Sequence, residues 1–404
     1  MRGPAARPAV ARRPAARRKS RFAARIEGLV QSDIRRMSLE CARVGGINLG
    51  QGICDQPIEP IIKEAAARAI AEDRSTYTRL DGIDELRRRI ADKMRRYNRV
   101  ACDPDGEVIV NVGATGSFVT ACLAVVDPGD EVILFSPFYS YHLNILRVCG
   151  ADLRFVTLAP PEWTYDPAAL EAAFSDRTRM IVVNTPSNPS GKVFTRAELE
   201  HVAALCREHD ALCVTDEIYE YILCDGREHT SPASLPGMGG RTITISGFSK
   251  TYAMTGWRIG YTVAPRELAA KMAILNDLIN VCAPAPLQHG VVAAFDLPPA
   301  YYERMRADYQ AKRDLLAAAC RDAGLDPFVP QGAYYMLADV RGAGLRDDRE
   351  AAEVLLERCG VAVIPGGSFY ADPKDGRAQV RLCYAKTMPD LERACERIRT
   401  LGRS

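Results

Sequence analysis

The chain has 404 residues, 47% hydrophobic and 26% charged, the composition of an ordinary globular protein and too long for one compact core, so a large domain plus a smaller one is expected. No apolar run approaches the roughly 18 residues that span a bilayer, so no membrane segment is read. The net charge of +2 is uneven: residues 1–26 hold nine of the 53 Lys and Arg and no acid, leaving 44 bases against 51 acids in the rest.

The first stretch, "MRGPAARPAVARRPAARRKSRFAAR", is rich in Ala, Arg and Pro and lacks apolar periodicity. A disordered basic leader is expected over 1–20. It has no apolar core of a secretory signal; a transit peptide, a nucleic-acid arm and a tail of little consequence are its readings, the last the simplest. From about residue 60 helical and strand patterns alternate. "EPIIKEAAARAIAED" and "GIDELRRRIADKMRRYN" carry apolar residues at helical spacing. Short apolar runs follow at 107–112, 131–136, 153–158, 179–184, 211–216 and 242–247, mostly separated by helix-length segments. This pattern predicts an α/β fold whose large domain has a mostly parallel sheet flanked by helices. Ligands sit at the carboxyl ends of such strands, and Asn184, Asp216 and Ser246 end three of these runs in polar groups. After about 295 comes a long helix, then short strands and a last helix. The expected organisation is an arm and part of a small α+β domain over 21–58, a large domain over 59–295, and the rest of the small domain over 296–404.

The 13 cysteines are scattered without a C-x-x-C pair, as small hydrophobes in a reducing, cytoplasmic setting would be. The five histidines form no metal-binding array, so no metal is expected. "VNVGATGSF" is a strand running through small residues into a helix, a turn that exposes backbone N–H groups to an anion. It is neither a dinucleotide fingerprint nor a triphosphate loop, which argues against a nicotinamide dehydrogenase. "NTPSNPSG" is a rigid turn after a strand, and "VTDEIY" sets two acids just past another. An acid leaving a buried strand is costly unless it meets a cation or hydrogen-bond donors, although capping a helix would also account for it. "SGFSKTYAMTGWRIGY" places Lys250 and Arg258 in an otherwise apolar or small-residue stretch.

Taken in order, Gly-Ala-Thr, S-P-F-Y, N-P-S-G, D-E-I-Y and S-K with an Arg eight residues on resemble the fold-type I pyridoxal-phosphate aminotransferases. The resemblance is to the class I/II branch that includes aspartate, aromatic and kynurenine aminotransferases, and it runs from about Leu49 to the carboxyl end. It implies pyridoxal 5'-phosphate as cofactor, an amino acid and a 2-oxo acid as substrates, and a homodimer with shared active sites, with no nucleic acid or membrane as partner. It makes Lys250 the Schiff-base lysine and proton shuttle. Arg258, Ser249 and the Gly113–Ala114–Thr115 turn hold the phosphate, and Asp216 pairs with the ring nitrogen. Asn188 and Tyr219 donate to the ring 3-oxygen, and Tyr139 stacks on the ring. Arg381 clamps the substrate carboxylate beside Gly52, and Tyr77 reaches the neighbouring subunit's phosphate.

The chain departs from the family at Gly247, where a hydroxyl often stands three residues before the lysine, and at Ile53, Cys54 and Tyr370, which fall where relatives build the side-chain pocket. The same residues also serve a lyase, a cyclase or an oxidative enzyme of secondary metabolism, the alternative to transamination. A transcription regulator built on this domain needs a DNA-binding module that about 26 leading residues cannot hold.

Overall fold

The computed structural model describes residues 21–29 and 31–403, so the leader expected over 1–20 lies outside the described residues. The six apolar runs form strands β1 (Val108–Val112), β2 (Glu131–Ser136), β3 (Asp152–Thr157), β4 (Thr178–Asn184), β5 (Leu212–Asp216) and β6 (Thr242–Gly247). A seventh strand, β7 (Ile259–Val263), starts directly after Arg258, inside the segment that the sequence reading took only for its charges. The sheet order is β1-β7-β6-β5-β4-β2-β3, and β7 alone runs against its neighbours.

Strands β2, β6 and β7 are buried at every residue, as central strands covered on both faces must be. Alternate side chains of each strand feed opposite cores. Val182, Val214 and Ile243 meet Phe118, Leu143 and Met272 from helices Gly113–Val125, Ser140–Cys149 and Arg266–Asn280 on one face. Ile181, Val183 and Cys213 meet Leu199 and Val202 from helix Arg196–Glu208 on the other.

A second sheet is antiparallel, in the order Ile364–Pro365, Gln379–Cys383, Tyr335–Asp339, Asp326–Phe328. Helix Pro299–Asp322 leads into it, and helices Asp348–Cys359 and Met388–Arg399 contribute Leu355, Leu391 and Ile398 to its core. The short strand Ile47–Asn48 pairs in parallel with Val361–Ala362, which draws helix Asp33–Arg43 to this sheet. The fold is thus α/β, with a mostly parallel sheet flanked by helices.

Two features of the large sheet set up its carboxyl edge. Asn184 and Asp216 are register partners, so β4 and β5 end their side chains at the same level. Gly260 of β7 lies so close to the Gly113 turn that a Cβ there would stand 2.5 Å from the Ala114 nitrogen and the Gly113 carbonyl carbon. Both obstacles are backbone and cannot swing aside. Gly260→Ala is therefore expected to lower stability by about 1–3 kcal/mol, measured by urea unfolding, because one methyl must force the turn off the sheet.

Candidate active site

A cavity of about 240 Å³ opens at the carboxyl edge of the sheet. Gly52, Ala114, Thr115, Tyr139, Asn188, Asp216, Tyr219, Ser249, Lys250, Arg258 and Arg381 all line it. Residues more than 300 positions apart thus share one wall. Its floor comes from the strand ends and the turns after β1, β2, β4, β5 and β6, and Arg381 enters from the second sheet.

Asp216 is buried, and a carboxylate there needs donors. It has two: His142 Nε2 lies 3.0 Å from Oδ2, and the Ile218 N–H donates to Oδ1 at 3.2 Å. The acid therefore closes its own turn as well as facing the cavity. Asn184 stands beside it, donating to the Asp216 carbonyl at 2.9 Å and accepting the Asn188 N–H at 2.7 Å.

At another wall, helix Gly113–Val125 begins with no side-chain cap and no acid in its first turn. Its first N–H groups have no intrahelical partners, and they carry the positive end of the helix dipole. Gly113 has φ +70°, and a Cβ on it would meet the Arg258 guanidinium at 2.5 Å, so glycine lets that cation lie against the turn. Arg258 is itself left-handed at φ +56°, and its Nη1 donates to the Thr255 carbonyl at 2.9 Å. Ser249 lines the same region. The missing hydroxyl at 247 has a steric reason: a Cβ on Gly247 would stand 3.0 Å from the Gly260 Cα.

Lys250 Nζ donates to the Gly52 carbonyl at 3.3 Å and sits 5.8 Å and 5.5 Å from the Tyr219 and Tyr334 ring centres. Burial pushes the Tyr139 and Tyr219 phenols up, so both stay protonated donors. Arg381 is 1% exposed, packed between Tyr335 and Phe369 rings at 4.2 Å and 4.6 Å. Its Nη1 donates to Asn188 Oδ1 at 2.9 Å and its Nη2 to the Gly50 carbonyl at 2.5 Å, while its Nε has no hydrogen-bond partner.

Lys250, Arg258 and Arg381 face this cavity with Asp216 as its one carboxylate among the described residues, so it favours a ligand with more than one anionic group. Two anchoring regions, one at the uncapped helix and one at Arg381, flank the Lys250 amine and the Asp216 carboxylate. That donor set fits pyridoxal phosphate together with an amino-acid carboxylate.

Some expectations need correction. Ser246, read as a ligand-facing strand end, points away from the cavity and bonds Glu220 Oε1 at 2.7 Å. Ile53, Cys54 and Tyr370 do not line the cavity. Ile53 is exposed, Cys54 is buried with its sulfur 4.0 Å from the Lys250 carbonyl, and Tyr370 bonds Gln379 at 2.9 Å. Tyr77, expected at the neighbouring subunit's site rather than its own, is 82% exposed and does not line this cavity. Lining residues that escaped the sequence reading include His142, Tyr335, Ile34 and Tyr141. His142 lies three residues after Tyr139, a helical spacing that was its only signal.

The family model "Aminotransferase class I and II" matches residues 44–398. Kynurenine–oxoglutarate transaminase 3 of Rattus norvegicus is 33% identical over 407 residues, covering 94% of this chain and 90% of that protein. A probable N-succinyldiaminopimelate aminotransferase of Mycobacterium tuberculosis is 36% identical over 377 residues, covering 91% and 95%. A solved structure of N-succinyldiaminopimelate aminotransferase from Mycobacterium tuberculosis superposes with a TM-score of 0.91 at 35% identity, covering 94% of this chain and all of that one.

Gly52 offers a sharp test of the geometry, because a Cβ there would stand 1.8 Å from the Tyr335 hydroxyl oxygen, which lies 3.4 Å from the Tyr219 hydroxyl. Gly52→Ala should displace Tyr335 and lower kcat/KM for amino-group transfer at least about tenfold, since small misplacements at a reacting centre are costly. Steady-state kinetics beside a thermal melt will separate this from general unfolding, as the melting temperature should stay within about 3 °C.

Proposed function

The chain belongs to the class I and II aminotransferases, enzymes that move an amino group between an amino acid and a 2-oxo acid, and we propose that the cavity around Lys250 is where it does so. The observation that carries this reading is the convergence of Lys250, Asp216, Arg258 and Arg381 on one cavity. Pyridoxal phosphate, when bound, supplies an aldehyde that takes up the amino group and a ring that draws electrons from the substrate Cα.

The uncapped N–H groups of helix Gly113–Val125, with Ser249 and the planar guanidinium of Arg258, hold the phosphate. Asp216, pinned by His142, keeps a proton on the ring nitrogen, and each pKa unit it adds favours that proton by about 1.4 kcal/mol. Asn188 and Tyr219 donate to the ring 3-oxygen, and Tyr139 covers a ring face. Lys250 would hold the cofactor through its aldehyde carbon, and once the substrate amine displaces it there, the freed Lys250 amine would be placed to move the proton at the substrate Cα.

Arg381 holds the substrate carboxylate. A guanidinium has five N–H donors, and this one spends two on Asn188 and Gly50. The remaining donors, Nε–H among them, are buried and need an acceptor. The substrate supplies it.

We read residues 59–295 as the large domain and 21–58 with 296–404 as the small one, the cavity lying where they meet. The thirteen unpaired cysteines support a cytoplasmic setting. No helix among the described residues is long and apolar enough to cross a membrane.

The working unit is a homodimer. Exposed apolar side chains cluster at Ile274, Leu278, Ile279 and Val281, and Leu278 is 75% exposed, which is costly surface for a lone subunit. In that assembly Tyr77 crosses to the phosphate of the other subunit. Borohydride reduction of protein loaded with pyridoxal phosphate should fix the label on Lys250 by peptide mass mapping; a label on another lysine, or none, rejects the assignment. Mixed Tyr77→Phe and Arg381→Ala subunits should regain activity that neither parent shows, since a heterodimer then has one site with both defects and one with neither. No recovery on proven subunit exchange, with the Tyr77→Phe parent itself impaired, rejects the shared site.

A further inference from the structure

The segment after β5 has two sides. Asp216 and Tyr219 face the cavity, whereas Glu217 and Glu220 face the interior behind it and are 0% and 2% exposed. Such carboxylates are tolerated only when their oxygens are fully engaged. Glu217 Oε1 accepts the Ser231 hydroxyl at 2.7 Å, and its Oε2 accepts Asn98 Nδ2 at 3.0 Å and faces His229 Nε2 at 2.8 Å. Glu220 Oε1 accepts the Ser246 hydroxyl at 2.7 Å, and its Oε2 meets Lys93 Nζ at 2.5 Å and Asn98 Nδ2 at 2.8 Å. Burial opposes charge on Glu220, but Lys93, His229 and the bonds from Lys93 and Asn98 outweigh it and hold the carboxyl below its ordinary range.

Glu217, Glu220 and His229 place ligand atoms within 4.8 Å of one another, the spacing of a metal cluster. The Lys93 ammonium already stands there, so the cluster has a cation of its own. The backbone is held as well: the Glu217 N–H donates to Ile245 at 2.8 Å, and the Glu220 carbonyl accepts the Tyr97 hydroxyl at 2.7 Å. Asn98 bonds both carboxylates, and Ser246 bonds the Glu217 carbonyl at 3.4 Å as well as Glu220, so the two acids are tied to each other.

We propose that Glu217 and Glu220 are positioning residues, which clamp the 216–220 segment from behind through Asn98, Lys93, His229, Ser231 and Ser246 and so set the orientation of Asp216 and Tyr219 in the cavity. This rests on the roles proposed above for Asp216 and Tyr219. The geometric reason is adjacency: Asp216 shares a peptide bond with Glu217, and Tyr219 with Glu220. A tilt on one side must swing the other, and small misorientations at a reacting centre are costly.

The test compares Glu220→Gln and the milder Ser246→Ala with wild type, each loaded with pyridoxal phosphate. Three readouts are followed: the visible circular dichroism of the bound cofactor, the pH midpoint of its absorbance, and the split between kcat and KM. Cofactor affinity should stay within about threefold because the phosphate contacts lie elsewhere, while kcat falls about five- to fiftyfold with a nearly constant KM. The absorbance midpoint should rise by about half a pH unit or more, since a loosened Asp216 and Tyr219 stabilise the deprotonated chromophore less. The circular dichroism should change in intensity.

If both variants melt earlier yet keep wild-type kcat, midpoint and dichroism, the acids are structural only and the proposal fails. Should Glu220→Gln not fold, Ser246→Ala decides by the same readouts. Asp216→Asn separates the two layers: if it too leaves spectrum and kcat unchanged, the role of Asp216 is what fails, whereas a large loss there with silent Ser246→Ala and Glu220→Gln overturns the positioning alone.

Discussion

The site is governed by the burial of a carboxylate at the end of a central strand. Asp216 terminates β5 where the sheet is covered on both faces, and an ionised acid in that setting is stable only with donors at both oxygens and cations nearby. His142 and the Ile218 N–H supply the donors. Lys250 and Arg258, from one segment, and Arg381, from the second sheet, add cations to the same cavity. A cavity with three cations and one acid, tied to an uncapped helix, is electrostatically unfinished until an anionic ligand enters. The proposed amino-group transfer would draw on the same arrangement, since groups that await charge are fixed before it arrives.

Glycine makes that arrangement possible in three places. Gly113 admits the Arg258 guanidinium, Gly260 admits the Gly113 turn, and Gly52 admits the Tyr335 hydroxyl. The approaches of strand to turn, of turn to cation and of loop to ring are each closer than a Cβ allows. Rigid backbone and bulky aromatic rings thus fix the cavity.

Much of this was legible in the sequence. Most of the six apolar runs became strands because burial leaves a continuous apolar signature, whereas β3, at the sheet edge, is exposed at four of its six residues. Strand β7 was hidden because it starts directly after Arg258, in a segment noted for its charges. Ser246 was misjudged because a strand end shows which residue is polar but not which face it takes; it turned inward to Glu220. His142 and Tyr335 reach the cavity from a neighbouring helix and from the second sheet; only the spacing from Tyr139 hinted at the first, and no local spacing encodes the second. Tyr370, Ile53 and Cys54 differ from the family pattern yet lie off the cavity wall, so sequence position beside a motif did not translate into a place on that wall.

The central claim is that Asp216 holds a proton on the cofactor's ring nitrogen. Nitrogen-15 NMR of the protein loaded with pyridoxal phosphate labelled at that atom reads it directly. The account predicts a protonated ring nitrogen in the wild-type protein across neutral pH and an unprotonated one in Asp216→Asn. An unprotonated ring nitrogen in the wild type, or a protonated one that survives Asp216→Asn, would contradict it.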